Sequence, residues 1–231
     1  MKKVTAIVFI KKDSERILKK NFRLFNGRPL FTIILNRLNE HKLIDKILVD
    51  SDSPEVLNFV SSLNKGVPIE RPEYLYGGHI TANEIIPYDI KFSDSDHFFE
   101  THVTNPLLTH NTITNSIQKY FSILPQYDSL FSVTRIQQRV FLRDGSPLNH
   151  PKGELLRTQD LNPVFHENSS FFIFSRNSFI KAGNHRVGEL PFLYEIPAIE
   201  ALDIDYEDEF LLAELVDKNK ALFPDIFKES N

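Results

Sequence analysis

Short apolar runs that alternate with segments of helical periodicity predict an α/β layered fold with a mainly parallel central sheet. Three observations carry this expectation. Thr5–Ile10 (TAIVFI) is a β-branched, almost uninterrupted apolar run, as befits a strand buried on both faces. DKILVDSD, residues 45–52, repeats that pattern and ends in polar residues. Between the two, Leu30, Ile34 and Leu38 recur at helical spacing after Pro29, with Ile33 on the same side.

The later elements follow the same rhythm. Ser53-Pro54-Glu55 reads as a helix start, a capping serine followed by proline in the first turn. A strand is expected around Phe98–Val103, then the turn TNPLLT, then a helix marked by Ile113, Ile117, Phe121 and Leu124. SLFSVT and SSFFIF read as further strands, and Phe210, Leu211, Ala213, Leu215 and Val216 mark a last helix. The stretch from Arg135 to Asn168 breaks the rhythm and is rich in Pro, Gly, Arg and Gln. It is expected to be an excursion that forms a subunit interface or a lid. Residues 1–231 are read as one domain, because 231 residues with 41% hydrophobic content suffice for one large core.

Composition narrows the function classes. The chain contains no cysteine, which excludes disulfides and thiolate zinc sites. Its eight histidines are dispersed, so any metal is expected on carboxylates, which favour a hard ion such as magnesium. A formal net charge of −4 gives no bulk electrostatic reason to bind nucleic acid. The opening MKKVTAIVFI is too short for a membrane span, and KKDSER follows it without a small-residue cleavage site. A soluble, cytoplasmic protein with neither membrane nor nucleic-acid partner is expected.

In such sheets ligands bind beyond the carboxyl ends of the strands. The polar segments after TAIVFI, after DKILV and after HFFETHV are therefore expected to converge on one crevice. The first, KKDSERILKKN (Lys11–Asn21), carries five cationic residues, which suit a polyphosphate but equally a solvated loop. It lacks glycine, so its backbone is a poor phosphate cradle. Three acidic triplets occur: Asp50-Ser51-Asp52, Asp94-Ser95-Asp96 and Asp203-Ile204-Asp205. Carboxylates two apart on extended backbone share a face and can share a cation. Asp203 and Asp205 are the best placed, with Ile204 pointing into the core. RPEYLYGGHITANE, residues 71–84, places Gly77 and Gly78 before a helix start near Thr81, a ligand edge or simply a turn.

Taken in order along the chain, these segments resemble the acylneuraminate cytidylyltransferase family, which makes CMP-activated sugar acids. The likeness runs from Val4 to Val216. IKKDSERILKKN stands where the family has A-R-G-G-S-K-x-I-P-x-K-N, matching at Ser14, Ile17, Lys20 and Asn21, with Lys11 in place of its arginine. FRLFNGRPLFTIIL is similar to N-x-R-x-x-x-G-K-P-L, and ILVDSDSPEV to V-S-T-D-D-x-E-I, with Asp52 at the aspartate. Arg71-Pro72 matches R-P-x-x-L, and THVTNPLLT resembles Q-P-T-S-P-L-R-T. LLRTQDLNPVFHENSSFFIF is similar to R-R-Q-D-L-P-x-x-Y-R-E-N-G-A-I-Y-I-F. ALDIDYEDEFLLAE is similar to S-I-D-I-D-T-x-x-D-F-x-x-A-E.

The resemblance implies a three-layer nucleotidyltransferase fold, a dimerisation excursion and a homodimer. It implies magnesium-dependent transfer of CMP from CTP to a sugar acid, with release of pyrophosphate. Lys11, Arg16 and Lys20 would be the catalytic cations. Lys11, Ser14 and Lys20 would meet the phosphates, and Asn21 and Arg71 the cytidine, with Gly78 and Thr81 helping. Thr104, Asn105, Arg157, Gln159 and Asn168 would form the sugar-acid pocket, and Asp203 and Asp205 would hold Mg2+. The chain departs from the pattern at Lys12 and Asp13 for two glycines, and at Glu15 for a lysine, with Arg16 as the expected partner of Glu15. Further departures are His102 for glutamine, Val103 for proline, Leu108 for arginine, and His166 and Ser169 for the arginine and glycine of R-E-N-G. Two other readings are a nucleotide-binding paralogue with impaired catalysis, and a nucleotide-sugar glycosyltransferase using Asp50-Ser51-Asp52.

Overall fold

The computed structural model of the protein describes residues 2–14 and 16–227. Its centre is strand β1 (Val4–Ile10), flanked by β4 (Ile44–Ser51) and β6 (His97–Thr101), both parallel to it. β5 (Gly66–Glu70) extends the sheet beyond β4. On the other side, β8 (Val164–Ser175) pairs antiparallel with both β6 and β7 (Ser129–Ile136), and β9 (Pro191–Glu195) lies parallel to β7. The order is β5-β4-β1-β6-β8-β7-β9, with a separate two-stranded β2–β3 hairpin (Leu24–Phe25, Arg28–Pro29).

The period-two alternation of β1 explains why its sequence is apolar at all positions but Thr5. Val4, Ala6, Val8 and Ile10 enter one core with α1 (Leu30–Glu40), α2 (Pro54–Ser61) and α4 (His110–Ile123). Ile7 enters a second core with α3 (Ala82–Asp89) and α5 (Arg176–Lys181). Both faces are covered, so the fold is the expected three-layer α/β sandwich. Ser53 caps α2 and Pro54 opens it, as predicted. In α4 the buried stripe is Ile113, Ser116, Ile117 and Tyr120, while Phe121 is half-buried and Leu124 lies just beyond the helix. Among the described residues no helix is long and apolar enough to cross a membrane.

A third core places the carboxyl-terminal segment. Ile204, Phe210, Ala213 and Val216 pack with Ile17, Phe25, Leu30, Ile33 and Leu107, seating α6 (Glu207–Lys218) against the β2–β3 hairpin. Polar ties reinforce the contact: the Asn26 N–H donates to Glu214 Oε1 at 2.8 Å, and its side-chain amide donates to Asp217 Oδ2 at 2.8 Å. Leu211 and Leu215, which also mark this helix in the sequence, are exposed.

The excursion is shorter than predicted. Arg135 and Ile136 belong to β7, and residues 164–168 belong to β8, in which Val164 to Glu167 pair with Ile136 to Val133. The irregular part is residues 137–163, an arm tied internally by Asn149 to Gln138 and Asn162 and by Gln137 to Thr158 and Leu161. At its base Ser169 takes a left-handed backbone, φ 55°, where the resembling motif has glycine. That conformation costs a non-glycine residue about 1–2 kcal/mol, partly offset by the greater unfolded-state entropy of glycine. Ser169→Gly is expected to stabilise the fold by about 0.5–1 kcal/mol. A thermal melt should read this as a Tm about 1–4 °C higher.

Candidate active site

The strand order brings three carboxyl ends side by side. Lys11, Asp13 and Ser14 follow β1, Asp52 follows β4, and His102, Val103 and Thr104 follow β6. Together with Arg16, Lys20, Asn21, Asp205 and, from the loop after β5 and the start of α3, Tyr76, Gly77, Gly78, Ile80, Ala82 and Ile85, they line a cavity of about 630 Å3. The convergence expected of a parallel sheet is therefore realised.

The loop after β1 is held by side chains rather than by glycine turns. Its Lys12 N–H donates to Asp52 Oδ1 at 2.6 Å, and the Asn21 amide donates to the Lys11 carbonyl at 2.9 Å. Lys11 Nζ donates to the Gly77 carbonyl at 3.0 Å, closing the loop against the far wall. Gly77 has φ 110°, and a Cβ there would stand 2.9 Å from the His79 ring, so this turn requires glycine.

At the other end of the loop the cations meet the acidic segment. Arg16 pairs with Asp205 Oδ2 at 2.5 Å, and Lys20 pairs with Asp205 Oδ1 at 3.2 Å while also donating to the Ile204 carbonyl. Asp205 holds the Arg16 guanidinium above its ordinary range. Arg16 thus pairs with Asp205; its expected partner Glu15 lies outside the described residues. Ile204 is fully buried, as predicted, and sets Asp203 and Asp205 on either side of it. The segment is an irregular stretch before α6. Burial pushes the Asp203 carboxyl above the usual carboxylate range, against the Thr104 hydroxyl bond that favours its charged form. Its Oδ1 is buried without a hydrogen-bond partner.

Of the residues singled out from sequence, Lys11, Ser14, Arg16, Lys20, Asn21, Gly78, Thr104 and Asp205 line the cavity. Several others do not reach it. Arg71 is buried beneath it, its Nε donating to Asp50 Oδ1, with Asp89 close by. Burial and the Asp50 charge push Asp89 up to about 9, so this carboxyl is protonated beside the Asp50–Arg71 pair at neutral pH. Thr81 caps α3, its N–H and hydroxyl both donating to Glu84. Asn105 is fully buried, and its amide reaches the Leu202 carbonyl at 3.5 Å. Asn168 accepts from Ser132 Oγ at 2.6 Å and donates to Thr134 Oγ1 at 3.0 Å, plugging the β7–β8 irregularity. Arg157 and Gln159 lie exposed on the arm, where Arg157 grips Asp160 at 2.7 and 3.2 Å.

Asp13, Asp52, Tyr76, Gly77 and His102 also line the cavity and were not assigned to the site from sequence. Position at a strand end was the available signal for Asp52 and His102. None existed for Tyr76, whose place depends on how the loop after β5 folds back.

A family model described as cytidylyltransferase matches residues 5–214. A pseudaminic acid cytidylyltransferase from Campylobacter jejuni subsp. jejuni serotype O:23/36 (strain 81-176) is 23% identical over 190 residues. That match covers 76% of this chain and 80% of the relative. N-acylneuraminate cytidylyltransferase A of Danio rerio is 23% identical over 219 residues, covering 91% of this chain and 50% of that protein. Among solved structures, a CMP:2-keto-3-deoxy-manno-octonic acid synthetase complexed with CTP superposes with a TM-score of 0.69 at 11% identity. It covers 94% of this chain and 99% of that one, a likeness of fold. With the three strand ends, the cationic loop and the acidic segment gathered on one cavity, and the match spanning nearly all of it, the chain belongs to the cytidylyltransferase family and is a nucleotidyltransferase.

Proposed function

We propose that this enzyme transfers CMP from CTP to a nonulosonic or related 2-keto sugar acid, releasing pyrophosphate, in a magnesium-dependent reaction. The observation that carries the reading is the meeting of Arg16 and Lys20 with Asp205 across the cavity mouth. Phosphoryl chemistry needs positioning and charge neutralisation, and Lys11, Arg16 and Lys20 supply cations along one wall. Ser14 and Asn21 sit within the same loop, and the Gly77–Gly78 turn offers backbone groups opposite.

The charge balance supports a metal. Three cations line the cavity, and so do three carboxylates, Asp13, Asp52 and Asp205. A polyanionic triphosphate therefore gains little net attraction from side chains alone. Asp205 and the unpartnered buried oxygen of Asp203 are the hard oxygen donors that would hold Mg2+. When bound, the ion would neutralise developing phosphate charge and orient the reactants. Among the described residues no group of three or more His, Cys, Asp or Glu could hold a metal ion, so the remaining ligands would be nucleotide oxygens and water.

We further propose a cytoplasmic homodimer in which the arm docks on a second copy. Its Phe141, Leu142, Leu148 and Leu155 are exposed, and Arg157 and Gln159 stand away from the cavity of their own chain. The test is pyrophosphate release from CTP and Mg2+ with pseudaminic acid, N-acylneuraminic acid, 2-keto-3-deoxy-manno-octonic acid and a phosphonate as acceptors, and with other nucleotides in place of CTP. Pyrophosphate with one sugar acid and CTP is expected. Nucleotide binding with no turnover on any acceptor would overturn the reading in favour of a binding subunit. Release of a nucleoside diphosphate would point to a glycosyltransferase.

A further inference from the structure

One buried charge next to the cavity has no part in the arrangement described so far. Glu100, on β6, is fully buried, and burying a carboxylate is costly unless it is paired. Its Oε2 accepts from Arg186 Nη1 at 2.7 Å. Arg186 is itself fixed: its guanidinium lies 3.7 Å from the centroid of the Phe172 ring, and its backbone N–H donates to Asn83 Oδ1 at 3.1 Å. The other oxygen, Oε1, stands 3.2 Å from Nε2 of His102.

His102 lines the cavity beside Thr104, with 29% of its side chain exposed. The Nε2–Oε1 contact is close but off-line, so Oε1 is a buried oxygen without an aligned donor. Such contacts commonly tighten only when the reactants are bound. A carboxylate can only accept, so in the neutral ring the nitrogen beside Glu100 carries the hydrogen. Nδ1 is then the nitrogen with the free lone pair, and among the described residues lining the cavity His102 carries the one imidazole ring, able to take a proton from a hydroxyl.

We propose that His102 is the proton acceptor for the attacking hydroxyl in the transfer reaction, and that Glu100 is its positioning residue. This rests on the cytidylyl-transfer reading given above. The hydroxyl O–H bond breaks as its oxygen bonds to the α-phosphorus, and the proton moves to His102 Nδ1. The bond from the α-phosphorus to the bridging oxygen breaks, and its electron pair departs with pyrophosphate. The imidazolium then returns its proton to solvent through the open cavity.

Two measurements test the pair. With CTP, Mg2+ and pseudaminic or N-acylneuraminic acid as probe acceptors, His102→Ala is expected to lower kcat about 100-fold and to leave KM for CTP within about twofold. Added imidazole should restore about tenfold of the loss, which a merely structural defect would not permit. Undiminished kcat, or a loss that imidazole cannot rescue in a variant still protected by CTP against thermal unfolding, would overturn the role of His102. Independently of turnover, side-chain nitrogen NMR of the wild-type protein should show the neutral His102 ring with its hydrogen on Nε2. In Glu100→Gln, whose amide can donate as well as accept, the other tautomer should appear and kcat should fall about tenfold. A wild-type ring carrying its hydrogen on Nδ1 would overturn the pair whatever the acceptor. Absence of pyrophosphate from wild type, with the Nε2–H tautomer observed, would instead overturn the proposed function.

Discussion

Asp205→Asn is expected to lose turnover by at least about 100-fold while binding metal-free CTP more tightly than wild type. Both halves come from one contact. Asp205 is held by Arg16 and Lys20, the cations proposed to meet the phosphates. On the proposed function, Asp205 would be a ligand of Mg2+ when the ion is bound, and Arg16 and Lys20, released from that carboxylate, would face the triphosphate. An amide keeps the shape but lets both cations go. Ion pairs open to solvent are each worth about 0.2–1 kcal/mol, so releasing two gains about two- to thirtyfold in affinity for metal-free CTP. Calorimetric titration with CTP in the presence of a chelator measures the first effect, and pyrophosphate release with Mg2+ the second. Unchanged turnover would remove the metal assignment, and weaker metal-free binding would remove the partner exchange.

Arg71→Met is expected to destabilise the fold by about 3–5 kcal/mol at neutral pH, the usual result of stripping a buried charge of its partner. Asp50 is fully buried, and its carboxyl is already pushed up by burial while Arg71 pulls it down. Removing the guanidinium takes away the main downward pull and leaves burial and the Asp52 charge opposed only by a hydrogen bond from Asp89, which supplies no countercharge. The pH dependence has a definite sign. A carboxyl whose folded value lies above its unfolded value of about 4 retains a proton that the unfolded chain has released. Stability of the variant then falls as pH rises above about 4, and below that value both states are protonated and the deficit against wild type narrows. Urea unfolding at neutral pH and near the ordinary carboxylate range measures this. A residue serving the nucleotide alone would leave the midpoint unmoved, so an unshifted midpoint would refute the structural role.

How much of this was legible in the sequence follows from distance along the chain. Thr5–Ile10 and, at the centre of β4, Ile47, Leu48 and Val49 declare themselves as strands because a sheet covered on both faces reads as a nearly continuous apolar run. Ser53-Pro54 declares a helix start because those residues satisfy or lack the first N–H groups. The likeness in motif order placed Lys11, Lys20 and Asp205 correctly in one cavity. It failed to separate Arg71, Asn105 and Asn168 from the cavity, because a motif records that a residue occurs, not which way it faces. Leu211 and Leu215 helped to mark α6 yet are exposed, because its apolar stripe is wider than the strip that the third core covers. Tyr76 had no signal, since loop direction depends on what the loop packs against.

The sequence alone determined the layered α/β architecture, the cationic segment after the first strand and the acidic pair two residues apart, each written in local periodicity or spacing. The tertiary structure decided the pairings: Arg16 and Lys20 with Asp205, Arg71 with Asp50 beneath the cavity, and Glu100 with both Arg186 and His102. These join residues tens to nearly two hundred positions apart, apart from the two-residue step from Glu100 to His102. Charge and hydrogen-bond partners are chosen by proximity after folding, so the packing of β1, β6 and the segment before α6 set which cation faced which carboxylate.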